Sequence, residues 1–527
     1  MTELALFRQR HAREAALAAV CAILFLTFLD NTIVSVALAD IQTSLGSSVT
    51  GLQWIVDGYM LAFAALMLTG GTLGDLLGRK KVMLAGVALF CAGSVVAAVA
   101  PDTRILIAGR IVMGVGAAAS EPGTLSLIRH IYPQREERAV ALGVWAAVSG
   151  LALALGPVLG GVLVAGAGWR WIFWFGLGFG AAALAVAAVT LTESSDPEGR
   201  KLDVPGLATG AAAILAATFA VIEGENRGWG TWWIVLLFAV AAVLAAAFVL
   251  IERRVADPVL KLEFLRNPTF TAANVVAFAT NLSVFSVFFF TALYLRLISN
   301  FSGFQIALAF ASLAAAMIVS GPVAGLWTAR VGPRVPMVLG CALAGLGLFL
   351  VDWKLTATTS VSALTWPLAI AGLGFGIALV TMTAAVLTLV PAEQSGMAAS
   401  TVNTSRELGG VFGVAVLGAV VNAQLTSGLT EKLVKLGIPA TFRRIVIQFV
   451  TTGGNLTTAE NSPAARGHEK LVAKVLVAAE GSAGHGVHLS LRIAGAIVLA
   501  AAVVAAFAAR RRVVPVEEVE AECRARC

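Results

Sequence analysis

Long apolar runs decide what this chain can become. Fourteen stretches of about 18 residues or more recur along its length, at roughly 15–39, 50–72, 81–99, 104–127, 138–165, 169–192, 203–223, 231–252, 268–296, 303–328, 335–352, 362–390, 398–425 and 487–509. A helix of that length matches the hydrocarbon thickness of a bilayer, so each run reads as one membrane span. The fold class is therefore an all-α polytopic membrane protein. Composition agrees: of 527 residues 58% are hydrophobic and only 13% charged, with a mean hydropathy of +0.88. The first run is too long for a signal peptide and carries Asp30, so it reads as a retained helix.

The net charge of +7 raises the question of nucleic acid, and its distribution answers it. With the amino terminus in the cytoplasm, Lys and Arg number 22 in the inside segments, among them Arg79, Lys80, Lys81, Arg253, Arg254 and Arg510. The short outside loops hold 5: Arg104, Arg170, Arg227, Arg296 and Lys354. That asymmetry orients membrane proteins and places both termini in the cytoplasm; the partner is the lipid bilayer and not nucleic acid. The 5 cysteines form no disulfide framework, since Cys21, Cys91 and Cys341 lie in spans and Cys523 and Cys527 in the tail.

Five carboxylates fall within or beside these runs: Asp30, Asp57, Glu121, Glu223 and Glu407. A charge near the bilayer centre costs at least about 2.5–3.5 kcal/mol, so such residues face a bundle interior and mark ion or substrate paths. Glu223 sits near the outer end of its span and reads as interfacial. The histidines are His11, His130, His468, His485 and His488, which this reading keeps outside the spans. Proton coupling must then run through carboxylates, which bind a proton when removed from water and release it to an arriving cation. Asp30, Asp57 and Glu407 are the candidates. Trp54, Tyr59, Phe285 and Phe288 are candidate aromatic contacts for a flat cation.

Two segments half a chain apart repeat one pattern. Gly71, Gly78, Met83 and Gly86 are echoed by Gly325, Gly332, Met337 and Gly340, a shift of 254; Gly114 and Gly116 are echoed by Gly372 and Gly374, a shift of 258. Duplicated halves with a site between them are a recurrent transporter plan. The expected domains are a six-helix bundle over 1–192, an inserted helix pair with cytoplasmic linkers over 193–267, and a second six-helix bundle over 268–512. The last includes an extracytoplasmic loop at about 426–486, with two short amphipathic helices around Leu433 and Leu471; a cytoplasmic tail covers 513–527.

The turn between spans 2 and 3 reads Gly71-Thr-Leu-Gly-Asp75-Leu-Leu-Gly78-Arg79-Lys80, with glycines for close packing and an Asp able to pair across a bundle interface. Span 1 has Leu29-Asp30-Asn31-Thr32-Ile-Val-Ser35-Val-Ala37-Leu38, and span 4 has Gly109-Arg110-Ile-Val-Met113-Gly114-Val-Gly116. Span 5 has Gly150 followed by Gly156-Pro157-Val-Leu-Gly160-Gly161, where glycine permits close helix approach and proline kinks the helix. Span 13 carries Arg406-Glu407-Leu-Gly409-Gly410. Together these stretches resemble the major facilitator superfamily, specifically its fourteen-helix drug:proton antiporters, over essentially the whole chain.

The resemblance implies two six-helix bundles plus an inserted pair, and roles for particular residues. Gly71, Asp75, Gly78, Arg79 and Lys80 would form a conformational latch, with Leu76 standing where the family usually has a basic residue. Gly150, Gly156, Pro157, Gly160 and Gly161 resemble the antiporter signature of exporters. Asp30, Arg110, Asp57 and Glu407 would carry proton coupling. Asp30, Asp57, Trp54, Tyr59, Glu121, Arg406, Glu407, Phe285 and Phe288 would meet substrate. Glu121 stands where the family commonly has an apolar residue, and the sequence leaves open whether it tunes specificity or lies idle in the outer leaflet.

The expected function is a proton-driven exporter of lipophilic, cationic drugs in a bacterial cytoplasmic membrane, acting as a monomer on a small-molecule substrate. A dedicated exporter of one natural product or lipid is the alternative, with an uptake symporter third. Neither a His-Glu-x-x-His nor a Gly-x-Ser-x-Gly motif occurs, and no Gly-Lys pair, so the reading is of a non-enzyme with no cofactor, no metal and no ATP site.

Overall fold

The structure, a computed structural model, describes residues 3–47, 49–194, 203–299, 301, 303–391, 394–438, 443 and 469–509. Among them lie fifteen α-helices and no strand: α1 (Glu3–Leu45), α2 (Val49–Leu77), α3 (Arg79–Ala98), α4 (Thr103–Ile131), α5 (Arg135–Ala167), α6 (Arg170–Thr190), α7 (Val204–Arg227), α8 (Trp232–Glu252), the short α9 (Leu262–Arg266), α10 (Pro268–Leu297), α11 (Gly303–Val331), α12 (Arg334–Lys354), α13 (Val361–Thr388), α14 (Ser395–Lys435) and α15 (Glu469–Ala508). Thirteen are long and apolar enough to cross a membrane in one piece. A fourteenth span is α5, bent by 43° between Glu136–Leu153 and Val158–Ala167. The break falls at Gly156-Pro157, where the ring removes a ladder hydrogen bond.

Local chemistry starts the helices where the apolar runs begin. Asp102 accepts from the Arg104 and Ile105 amides (2.8 and 3.0 Å) to cap α4. Asp203 caps α7 through Gly206, and Asn267 caps α10 through Thr269 with Pro268 in the first turn.

Helices α1–α6 pack together, α10–α15 pack together, and the groups join chiefly where α5 lies along α11 and α2 along α14, with smaller contacts of α4 with α14 and of α5 with α13. The helix α7 packs against α2 and α14, and α8 packs on α7. The sequence repeat has a physical meaning here. Gly78 and Gly332 both adopt positive φ (112° and 85°), a turn that L side chains rarely accept. A Cβ on Gly86 would lie 2.6 Å from the Gly116 carbonyl, and one on Gly340 would lie 3.1 Å from that of Gly374. Gly71 abuts Ser400 and Gly396 on α14, while Gly325 abuts the Ala139 carbonyl on α5. Equivalent glycines thus perform equivalent tasks: one contact between the helix groups, one turn, and one close helix crossing in each half.

The 426–486 region differs from expectation. α14 continues to Lys435 and α15 begins at Glu469, so the two amphipathic stretches are extensions of membrane helices and not separate elements. Their apolar faces bury each other through Leu429, Leu433, Ala478 and Ala479, which removes any need for a turn at 426. The 451–455 turn, most of the 193–203 linker and the 513–527 tail lie outside the described residues.

Candidate functional site

The end carrying the α2–α3 turn, with Arg79, Lys80 and Lys81, is termed the basic end and the opposite one the far end. The bundles meet at the basic end. Asp75, at the foot of α2, accepts from the backbone amides of Gly396 (3.1 Å) and Met397 (2.9 Å) in the first turn of α14. A helix N-terminus offers unpaired N–H groups and a partial positive charge, which suits a carboxylate. Arg79 donates to the same carboxylate (Nε to Oδ1, 2.9 Å) and to Ser194 (2.9 Å). The Lys80 ammonium binds the Ala188 and Leu191 carbonyls at the end of α6 (2.7 Å each). Leu76 is partly buried, and Asp75 reaches α14 through backbone amides. Arg129 at the end of α4 donates to the Leu387 carbonyl of α13 (2.6 Å).

The antiporter-like cluster divides between two roles. Gly156 and Gly160 let α5 approach α1, their would-be Cβ atoms falling on Thr32 and on the Ile33 carbonyl. Gly150 faces Met317 of α11. Toward the far end of α5, Gly161 and Gly166 face open space and Val162 is 65% exposed.

Between these ends lies a buried polar constellation. Asp30 on α1 is ion-paired with Arg110 on α4, both almost fully buried. Arg110 also donates through Nε to the Ile55 carbonyl (2.9 Å) and lies over the Tyr59 ring at 4.4 Å. A guanidinium is tolerable in a dry site when its fork meets several acceptors, and here it meets a carboxylate, a carbonyl and an aromatic face. Tyr59 is fully buried and donates to the Thr27 carbonyl (3.3 Å). It stands within electrostatic reach of Asp30, Arg110, Glu121 and Glu407 together.

The second half of the constellation joins the bundles. Arg406 on α14 donates through Nη1 to Asn403 (2.9 Å) and packs against Phe28 of α1 and Trp145 of α5, 5.1 and 5.4 Å from the ring centroids. Glu121 on α4 lies 3.9 Å from Arg406, within ion-pair range but beyond hydrogen-bond reach, and is wholly buried. Neither of its carboxyl oxygens accepts a hydrogen bond. Glu407, adjacent to Arg406, is 3% exposed. Among the described residues, Asp30, Glu121 and Glu407 are placed with Arg110 and Arg406, three carboxylates to two guanidinium groups, a formal excess of one negative charge when all are ionised.

Other expected site residues stand elsewhere. Tyr59 faces Arg110, and Asp57, two residues back, projects about 200° away around α2. It looks toward Glu223 of α7, and Trp54 packs on Phe219 of the same helix (5.6 Å). Glu223, read as interfacial, is 3% exposed and paired with Arg227 (2.7 Å). Phe288 stacks on Phe310 of α11 (4.6 Å), while Phe285 lies against Gly410, one turn along α14 from Arg406. The reading of the histidines is also corrected: His485 and His488 lie within the span Val477–Ala508 of α15, and His488 binds Asp352 of α12 (2.7 Å), which Arg492 also contacts (2.8 Å). About 20 residues separate it from the basic end of α15, roughly 30 Å, so this cluster belongs toward the far end. Phe28, Trp145 and Asn403 were not singled out from sequence; only Asn403 left a signal, three residues before Arg406 on one helix face.

Comparison with known proteins agrees with this architecture. The profile of the Major Facilitator Superfamily matches residues 20–414. The multidrug resistance protein Stp of Mycobacterium tuberculosis is 31% identical over 82% of this chain and 80% of its own. The methylenomycin A resistance protein of Streptomyces coelicolor is 34% identical over 75% and 83%. The tetracenomycin C resistance and export protein of Streptomyces glaucescens is 29% identical over 93% and 90%. Among solved structures, the human organic anion transporter MFSD10 shares the fold with a TM-score of 0.56 at 16% identity, over 78% of this chain and 93% of that one. With the family profile matched over residues 20–414 and up to fourteen membrane-crossing helices in the described residues, the chain belongs to the Major Facilitator Superfamily.

Proposed function

We propose that the chain is a proton-driven antiporter that exports lipophilic cationic drugs across a bacterial cytoplasmic membrane, working as a monomer and without a cofactor. The observation that carries this reading is the buried constellation between the bundles, with its three carboxylates against two guanidinium groups. A site with one carboxylate in excess is suited to hold either a proton or a cation, and competition between the two is the simplest antiport. The names of the relatives, resistance and export proteins, support export in place of uptake.

In this proposal the basic end is cytoplasmic, in keeping with the lysine and arginine asymmetry. The latched form is then closed to the cytoplasm, and the Asp30–Arg110 pair takes up a proton from the far side. Protonation of Asp30 frees Arg110 from its partner and expels the cation held near Glu407; unlatching Asp75 from α14 returns the carrier to the cytoplasmic side. Tyr59 supplies the aromatic wall beside the cation. A dedicated exporter of a single compound is the second reading, favoured by the relative named for tetracenomycin C, which aligns with 93% of this chain.

The test is reconstitution in liposomes with an internal pH dye and added ethidium. Cation movement opposite to proton movement, abolished by Asp30→Asn, is expected. Absence of flux with a broad panel of cations overturns the multidrug reading; flux of both species in the same direction overturns antiport.

A further inference from the structure

The antiport reading places one proton on Asp30 and leaves Glu121 without a task, although it is the most completely enclosed carboxylate of the constellation. Its surroundings are unusual. Both oxygens are buried, and neither accepts a hydrogen bond. The nearest cation, Arg406, stays 3.9 Å away, its Nη1 directed to Asn403 and its plane held against Phe28 and Trp145. An ionised carboxylate deprived of water requires donors in direct contact, whereas a neutral carboxyl tolerates their absence far better. The charged groups that act on it are Arg406 and Glu407 from α14; Tyr59 of α2 stands between it and the Asp30–Arg110 pair, which lies eleven residues, about 16 Å, back along α4. α5 brings Trp145, whose indole N–H goes to Thr124 (3.1 Å) and not to the carboxyl. α3 meets this stretch of α4 through Gly86, beside the Ser120 amide.

Placement adds the second line of argument. Glu121 belongs to one bundle and Arg406 to the other, so any motion that parts α4 from α14 also parts this pair. Ten residues of α4, about 15 Å, lie between Glu121 and the basic end. Arg110, in contrast, is seven residues from the far end of the same helix. The two carboxylates are therefore disposed toward opposite faces, Asp30 toward the far side and Glu121 toward the basic side.

Building on the antiport reading, we propose that Glu121 is a second proton-binding site, loaded while the basic end is closed and emptied to the cytoplasm when α4 and α14 separate. Water then reaches the carboxyl; its O–H bond breaks, the proton leaves as hydronium, and the carboxylate pairs with Arg406 or with the incoming substrate cation. Closing the basic end again expels that water and favours reprotonation from the far side. The carrier then moves two protons per cation.

The experiment measures electrogenicity in liposomes carrying the full-length protein, with ethidium as the monovalent cation and the membrane potential clamped by potassium and valinomycin. Two protons against one cation move net charge, so wild-type exchange responds to the imposed potential. One pH unit at zero potential then sustains a roughly hundredfold cation gradient. Glu121→Gln is expected to exchange one for one, with no response to potential and a roughly tenfold gradient. Cation–cation counterflow without any proton gradient shows whether the variant is folded and binding, and Glu121→Asp is expected to restore the potential response. An electroneutral wild type overturns the proposal, as does a Glu121→Gln variant that keeps the potential response; antiport survives both. Loss of counterflow in Glu121→Gln that Glu121→Asp does not repair assigns the residue a packing role and also overturns it. Wild-type ethidium flux with no proton movement overturns the antiport reading itself.

Discussion

Replacing Asp75 by Asn tests the latch most directly, because the carboxylate makes two kinds of bond that weigh differently. Its contacts with Arg79 lie within one bundle, on adjoining helices α2 and α3, and in the proposed cycle are kept in both states. Its contacts with the Gly396 and Met397 amides cross between bundles and, in the proposed cycle, break when the basic end opens. Asn keeps one acceptor oxygen and turns the other into an NH2 group, so one cross-bundle bond is lost and a backbone N–H faces a donor. A hydrogen bond to a charged group is worth about 1.5–3 kcal/mol and an unmet buried donor costs a similar amount. Allowing for overlap between these terms, the closed form loses about 2–4 kcal/mol, a shift of roughly 30- to 700-fold in the ratio of conformers. Spin labels at Leu77 on α2 and Val335 on α12, both exposed near the basic end in opposite bundles, report the change through double electron–electron resonance in a cysteine-free background. The wild type should show one short distance and Asp75→Asn a second, longer population. An unchanged distribution would refute the assignment of the α14 amides as the element that holds the basic end shut.

Two further substitutions separate residues that sequence reading groups together. Arg110→Lys keeps the charge but cannot donate to Asp30 and the Ile55 carbonyl at once while lying over Tyr59, so coupled exchange should fall at least about tenfold; an active lysine variant would mean that charge alone suffices. Asp57→Asn should leave proton-coupled ethidium exchange within about twofold of wild type while Asp30→Asn abolishes it, because Asp57 faces α7 and not the constellation. Equal losses in the two variants would place both on one path.

Much of the architecture is legible in the residues, for reasons that are local. A run of 20 apolar residues must become a helix in lipid, since no other backbone arrangement satisfies its own hydrogen bonds there. The turn glycines Gly78 and Gly332 are legible because a left-handed backbone excludes most side chains. Asp30, Arg110 and Asp75 are legible because a bilayer makes any buried charge conspicuous. The reach of α14 and α15 beyond the membrane was hidden, because Leu429 and Leu433 find their apolar partners in Ala478 and Ala479, about 50 residues further along the chain.

The number of spans, the duplicated halves and the set of carboxylates to be explained follow from the order of residues alone. Which of those carboxylates meet was decided only by tertiary packing. Asp57 and Tyr59 are two residues apart, yet the rotation of α2 against α4 and α7 sends one to Glu223 and the other to Arg110. Glu121 and Arg406 are 285 positions apart in the chain and become neighbours because α4 and α14 come together where the bundles join. Helix periodicity gives each side chain a direction relative to its own axis; the face that axis presents to its neighbours is set by the glycine contacts of the whole bundle, which no single span contains.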